Sequence, residues 1–255
     1  MNMPGFSLAG KVALVTGCRR GIGRSIAIAF AEAGADVAAC DIVIDDGKLE
    51  NVAQEIRNIG RRSLVLQADT SSRSQVEDMV EKVCKDLGFI DVLVNNAGVN
   101  LNKPILDLSE EEWDKIIDID LKGYFLCAQS VGKRMVENRK GAIINIASQF
   151  AFKAVPNVGP YCIAKLGVVM LTRVLARELG QYNIRSNAIA PGTVKTDFNR
   201  HIWTNEAFIE NLLPTIPLGR LAEPDDITGT ALYLASDASC HVSGHTIVID
   251  GGGIA

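Results

Sequence analysis

The chain has 255 residues, of which 47% are hydrophobic, 22% charged and 5% aromatic, with 23 glycines and 8 prolines. That composition is ordinary for a globular protein and excludes collagen-like, low-complexity and extensively disordered architectures. A net charge of −4 argues against a broad nucleic-acid surface and against electrostatic docking on membranes. The chain also lacks a run of 18 apolar residues, so no membrane span is expected.

Residues 1–11 lack the charged-then-apolar pattern of a secretion signal, so a cytoplasmic location with reduced thiols is expected. The six cysteines, no two closer than 22 positions, form no CxxC pair. Short apolar runs at 12–15, 37–40, 64–66, 92–94, 143–146 and 247–249 read as strands covered on both faces. Between them lie segments of helical period. Ile22, Ile26, Ala29/Phe30 and Ala33 form one such stripe, which stops at Gly34. Pro224-Asp225-Asp226 opens another, running to about Leu234. Alternation from end to end predicts one α/β domain over residues 1–255, a doubly wound parallel sheet of about seven strands with helices on both faces. Ligands of such sheets sit beyond the C-terminal strand ends.

The first strand ends in Thr16-Gly17-Cys18-Arg19-Arg20-Gly21-Ile22-Gly23. Glycines at a strand-to-helix turn permit a tight bend, close approach of a pyrophosphate and helix-on-strand packing, with the helix N–H groups facing the anion. Gly17, Arg19, Arg20, Gly21, Ile22 and Gly23 are therefore candidate dinucleotide contacts. The second strand ends at Asp41, followed by Ile42. A carboxylate there binds both hydroxyls of an adenosine ribose and repels a 2′-phosphate, which favours NAD over NADP. Arg19 and Arg20 pull the other way, since a guanidinium can pair with that phosphate; solvation at a helix start is their plainer reading.

From the middle of the chain onward the pattern resembles the short-chain dehydrogenase/reductase family. The matching pieces are the glycine segment, Asp69 after strand three, Asn95-Asn96-Ala97-Gly98 after strand four and Ser148 after strand five. They continue with Tyr161-x3-Lys165 on a helix, Pro191-Gly192 after strand six, and Val248-Ile249-Asp250-Gly251-Gly252 at the sheet's end. The resemblance spans essentially the whole chain. It implies a Rossmann-like sheet, nicotinamide-dependent oxidoreduction and, commonly, a homotetramer. It also implies that Asp69 and Thr70 border the adenine, and that Asn95, Ala97 and Gly98 line the dinucleotide, Asn95 steadying the sheet as well. Pro191, Gly192, Val194 and Thr196 would meet the nicotinamide end, and Ser148 the substrate oxygen.

The chemistry follows from the residues too. Removing a hydroxyl proton during hydride transfer needs a base, and tyrosine, with a reference pKa near 10, is a poor one until a cation favours its phenolate. Tyr161 and Lys165 are four apart on one helix face, so the ammonium can sit beside the phenol. In the family this lysine also binds the nicotinamide ribose. One departure stands out. Where many members carry Asn-hydrophobic-x-Gly, this chain reads Asp120-Leu121-Lys122-Gly123. The family asparagine acts largely through its backbone carbonyl, so Asp120 is expected to keep the proton relay, making the catalytic set Ser148, Tyr161, Lys165 and Asp120.

The segment 193–220, with Phe198, His201, Trp203 and Phe208, is expected to form a helical lid. Gln149, Asn100, Asn157, His201 and Trp203 join Ser148 as candidate substrate contacts. Several amides around a hydride site suit a hydroxylated small molecule, because buried amides need partners. Ser148-Gln149 and Pro156-Asn157…Tyr161-Cys162 look similar to sugar, polyol and sugar-acid dehydrogenases. Two alternatives stand beside that reading. One is an NADPH-dependent 3-oxoacyl-thioester reductase; the other is a non-catalytic dinucleotide sensor, which only Asp120 favours. Contiguous Val168, Val169, Met170 and Leu171 exceed one buried stripe and suggest a helix-to-helix subunit contact. Cys240, His241 and His245 read as polar loop residues before the last strand, and no metal site is expected.

Overall fold

Strand β1 (Val12–Thr16) is buried along its whole length. Its side chains alternate between two cores: Ala13 and Val15 enter one, Val12 and Leu14 the other. This period of two is what a strand covered on both faces requires. The computed structural model describes residues 5–255, so the first four positions of the expected domain lie outside the described residues. After β1 come β2 (Asp36–Asp41), β3 (Ser63–Gln67), β4 (Val92–Asn95), β5 (Gly141–Ile146), β6 (Ile184–Pro191) and β7 (Thr246–Ile249). Their order in the sheet is β3-β2-β1-β4-β5-β6-β7, and every neighbouring pair is parallel.

In chain order the helices are α1 (Gly21–Glu32), α2 (Lys48–Asn58), α3 (Arg73–Asp86), α4 (Glu110–Ile117) and α5 (Gly123–Asn138). They continue with α6 (Gly159–Leu179), α7 (Arg200–Trp203), α8 (Glu206–Leu212) and α9 (Asp225–Ala235). Ile26 and Phe30 of α1, Val52 and Ile56 of α2, and Ile227 and Leu234 of α9 fill the core on one face. Val76, Met79 and Val80 of α3 with Leu126, Val131 and Met135 of α5 fill the other. The sheet is thus doubly wound, Rossmann-like and a single domain. The chain leaves β1 in opposite directions towards β2 and β4, which opens a crevice at their C-terminal ends.

Two expectations need correcting. Strand β7 is an edge strand and is not covered on both faces, for Val248 stays 37% exposed. The expectation of no span also meets an exception, for the helical segment Gly159–Tyr182 is by length and composition apolar enough to cross a membrane. Packing explains its apolar character: Ala164, Val168, Val169 and Thr172 are buried, and α6 lies against β6. The contiguous apolar block therefore divides. Val168 and Val169 belong to the core, whereas Ile163, Leu166, Met170 and Val174 form an exposed stripe along the outer face.

Candidate active site

The loop after β1 is held open by the loop after β4. Thr16 Oγ1 accepts from the Asn96 and Ala97 amides at 3.0 and 3.2 Å. Asn96 Nδ2 donates back to the Thr16 and Gly17 carbonyls at 3.0 and 2.8 Å. Gly17 has φ +63°, and a Cβ there would stand 2.7 Å from Ala97 Cα. At Gly23 a Cβ would stand 2.5 Å from the Gly17 carbonyl oxygen. Both positions therefore require glycine. Helix α1 starts without a side-chain cap and without an acidic residue in its first turn, leaving N–H groups for an anion at the crevice. A dinucleotide's pyrophosphate fits this cradle.

One cleft runs from this loop across the switch point. Gly17, Arg19, Arg20, Gly21, Ile22, Asp41, Ile42, Asp69, Thr70, Ala97 and Gly98 line one part of it. Asn100, Ser148, Gln149, Tyr161, Lys165, Pro191, Gly192, Val194, Thr196 and His201 line the rest. Five expected contacts are not among its lining residues. Gly23 lies behind the loop and serves helix-on-strand packing. Asn95 is buried in the sheet, donating to Asn145 Oδ1 at 2.9 Å. Asp120 is fully buried beneath the cleft. Asn157 occupies an exposed left-handed turn, φ +68°, whose carbonyl accepts from the Lys103 amide. Trp203 turns its indole N–H onto the Thr196 carbonyl at 2.8 Å and so ties together the segment that follows β6.

Carboxylates surround the arginine at the β2 end. Asp41 accepts from the backbone N–H of Arg19 at 3.3 Å and of Val43 at 3.1 Å. The Arg19 guanidinium lies 3.7 Å from Asp41 and also pairs with Asp46. Arg20 pairs instead with Asp197, in the segment after β6, at 3.3 Å. The solvated reading of both arginines therefore gives way to paired ones.

At the other end Tyr161, in the first turn of α6, stands between two rings. Phe150 is edge-on at 6.4 Å and Phe198, after β6, lies at 6.2 Å, centroid to centroid. Lys165 follows one turn later and is buried, its Nζ 5.4 Å from the Tyr161 ring centroid. Ser148 follows β5 and starts a short turn by accepting from the Phe150 amide at 3.1 Å. Burial pushes the Tyr161 phenol up to about 12, more strongly than Lys165 and a Ser148 hydrogen bond lower it; Asp120 and Tyr124 act in the same direction as burial. The expected lowering by Lys165 is present, but desolvation outweighs it.

Asp120 sits in a π-helical turn, Asp118–Lys122, between α4 and α5. Such turns rotate a side chain out of α-helical register. Its Oδ1 accepts from the Val99 amide at 2.7 Å, and its Oδ2 lies 3.7 Å from Lys165 Nζ with no hydrogen bond of its own. Burial pushes this carboxyl up to about 6 against the pull of Lys165. Two participants escaped the motif reading: Asn96, which braces the glycine loop, and Tyr124, which meets Lys165. Tyr124 carried a usable signal, because Asp120-x3-Tyr124 repeats the four-residue spacing of Tyr161-x3-Lys165 on a second helical segment.

A parallel sheet opening at its switch point onto a glycine loop is a dinucleotide-binding architecture. Comparison with known proteins takes this further. A family model described as enoyl-(acyl carrier protein) reductase matches residues 17–253. The 2-dehydro-3-deoxy-D-gluconate 5-dehydrogenase of Dickeya dadantii is 39% identical over 251 residues, 98% of each chain. The 3-oxoacyl-(acyl-carrier-protein) reductase FabG of Staphylococcus epidermidis is 40% identical over 242 residues, 95% of this chain and 98% of that one. The NAD-dependent glycerol dehydrogenase of Listeria innocua is 39% identical over 247 residues, 97% and 95% of the two chains. Among solved structures, a gluconate 5-dehydrogenase from Burkholderia cenocepacia in complex with NADP and tartrate superposes with a TM-score of 0.94 at 35% identity, covering 98% of both chains. The chain belongs to the short-chain dehydrogenase/reductase family, oxidoreductases that act on CH–OH groups with a nicotinamide dinucleotide.

Proposed function

We propose that the protein interconverts a secondary alcohol and its ketone on a sugar, polyol or sugar acid, using NAD, with Tyr161 as the general acid/base. The observation that carries this reading is one cleft with Asp41 at one end and the Tyr161–Lys165–Ser148 group at the other. A nicotinamide dinucleotide held in this cleft would supply the hydride donor or acceptor for the carbinol carbon. The chain's own groups do the rest. Ser148 orients the substrate oxygen, Tyr161 exchanges a proton with it, and Lys165 favours the phenolate by its charge while meeting the nicotinamide ribose. Asp120, beneath Lys165, belongs to the proton route. Asn100, Gln149 and His201 line the same cleft and offer polar partners to further substrate hydroxyls. The relatives named for 2-dehydro-3-deoxy-D-gluconate and glycerol support a hydroxylated substrate.

The deciding experiment mixes the protein with NAD or NADP and a panel of polyols, sugar acids and 3-hydroxyacyl thioesters, following reduced-nicotinamide absorbance. Turnover is expected with the first two classes and NAD. Turnover confined to thioesters with NADP would replace this reading with the acyl-thioester reductase that the FabG relative favours. Tight NAD binding without turnover of any class would make the protein a sensor.

The lid reading extends to residues 193–220. Among the described residues this segment holds α7, α8 and two short 3₁₀ turns, and the Arg20–Asp197 pair ties its start to the glycine loop. The exposed stripe Ile163, Leu166, Met170 and Val174 on α6, with Phe125 of α5, supports a homotetramer built through these helices. Sedimentation at micromolar concentration should show the tetramer, and Met170→Glu should dissociate it. A monomeric native protein would sink the assembly reading. A cytoplasmic location is proposed with it.

A further inference from the structure

Lys165 is 3% exposed, and its ammonium has three N–H donors. Three acceptors surround it. The Tyr124 hydroxyl and the Ile146 carbonyl each lie 3.1 Å from Nζ, and Asp120 Oδ2 lies at 3.7 Å. Tyr124 donates its own proton to the Ile146 carbonyl at 3.0 Å, closing a triangle. Nζ also stands 4.6 Å from the Tyr124 ring centroid, so the ammonium is set between the Tyr124 and Tyr161 rings. The Tyr124 backbone is fixed in turn: its carbonyl accepts from Asn95 Nδ2, which also donates to Asn145.

A phenylalanine would fill this part of the core equally well, and a hydroxyl this deeply buried is stable only with partners. Here the partners are the reacting centre's own lysine and the carbonyl at the end of β5. We propose that Tyr124 is a positioning residue of the reaction, whose hydroxyl holds the Lys165 ammonium beside Tyr161 and away from Asp120. Asp120 supplies a counter-pull, for its Oδ2 is buried and lacks a hydrogen-bond partner. An ammonium freed from Tyr124 moves towards that carboxylate, and its support of the Tyr161 phenolate weakens with distance. The charged and titratable groups facing Tyr161 are Lys165 on its own helix, Asp120 on the π turn and Tyr124 on α5. Burial holds Tyr124 well above the ordinary tyrosine range, so it acts as a neutral donor and acceptor and not by ionising.

This inference rests on Tyr161 as the proton-transferring group, and two variants separate the readings. Tyr124→Phe keeps the ring and removes only the oxygen; Tyr124→Met removes the oxygen while filling the space differently. Each purified enzyme is assayed for alcohol oxidation from about pH 4.5 to 10, alongside its melting temperature. Both variants are expected to lose kcat about tenfold, the size of one charge-assisted hydrogen bond. The inflection that Asp120 gives the pH profile near pH 6 should move to lower pH, because an ammonium drawn towards that carboxylate favours its ionised form. The KM for the alcohol should stay within about twofold, since Tyr124 touches no substrate. A lowered melting temperature with an unmoved inflection would make Tyr124 merely structural and overturn the proposal. If Tyr161→Phe retained turnover, the reading beneath it would fail instead.

Discussion

Tyr161→Phe is expected to lower kcat by about 10²–10⁴-fold, the usual span for removing a general acid/base, with far less effect on dinucleotide affinity. The substitution keeps the ring between Phe150 and Phe198 and deletes only the phenol oxygen, the proposed proton-exchanging group. The pH dependence of the native enzyme carries the complementary test. With the phenol pushed up to about 12, Tyr161 is protonated through the neutral range. Ketone reduction, which needs the acid form, should therefore stay level from pH 6 to 9. Alcohol oxidation, which needs the phenolate, should climb across the same range. Asp120 adds a second feature. Its carboxyl, pushed up to about 6, is neutral below that pH and ionised above it. The ionised form raises the Tyr161 pKa further, so the climb of oxidation should flatten near pH 6. Asp120→Asn should erase that inflection. If Asp120→Asn raised turnover greatly and left the profile unaltered, Asp120 would have no place in the proton route. If Tyr161→Phe kept more than a tenth of native kcat, another group would be moving the proton.

What the sequence revealed and what it withheld divides along a physical line. Strands such as 12–15 and 37–40 are legible because burial on both faces selects an unbroken apolar run, and a run is a local property. Gly17 and Gly23 are legible because backbone crowding admits no side chain. Tyr161 and Lys165 are legible because four-residue spacing fixes a shared helix face. Trp203 and Asn157 mislead because composition alone does not say where a loop side chain points. The Trp203 indole is directed by the Thr196 carbonyl, brought near by chain folding, and Asn157 by the left-handed turn it occupies. The net shift of Tyr161 was equally out of reach. The adjacent lysine is visible in the spacing, whereas the desolvation that outweighs it depends on which walls close around the phenol. Tyr124 lies between these cases. Its spacing from Asp120 is local, but the meeting with Lys165 needs α5 and α6 to pack as they do.

Asp41→Ser should turn cofactor preference from NAD towards NADP by about 100-fold or more in the ratio of kcat/KM values. Two effects combine. On the proposed reading the native carboxylate would accept hydrogen bonds from a ribose diol, and losing charge-assisted bonds costs about 1.5–3 kcal/mol. It would also meet a 2′-phosphate, and like-charge juxtaposition costs several kcal/mol. The surroundings sharpen the expectation. The Arg19 guanidinium stands beside Asp41 on the glycine loop, where Asp41 and Asp46 both hold it. Lys48 Nζ also lies 3.9 Å from Asp46, so two carboxylates face two cations here, and the case for NAD rests on the Asp41 carboxylate itself. Removing Asp41 turns this corner net positive and frees one side of Arg19 for bidentate pairing with phosphate. Arg19→Ala in the Asp41→Ser background should then forfeit most of the gain with NADP while leaving NAD kinetics nearly unchanged. The structural relative crystallised with NADP makes the opposing outcome concrete. A native enzyme that prefers NADP, or an Asp41→Ser ratio equal to the native one, would show that Arg19 governs this corner despite its two carboxylate partners.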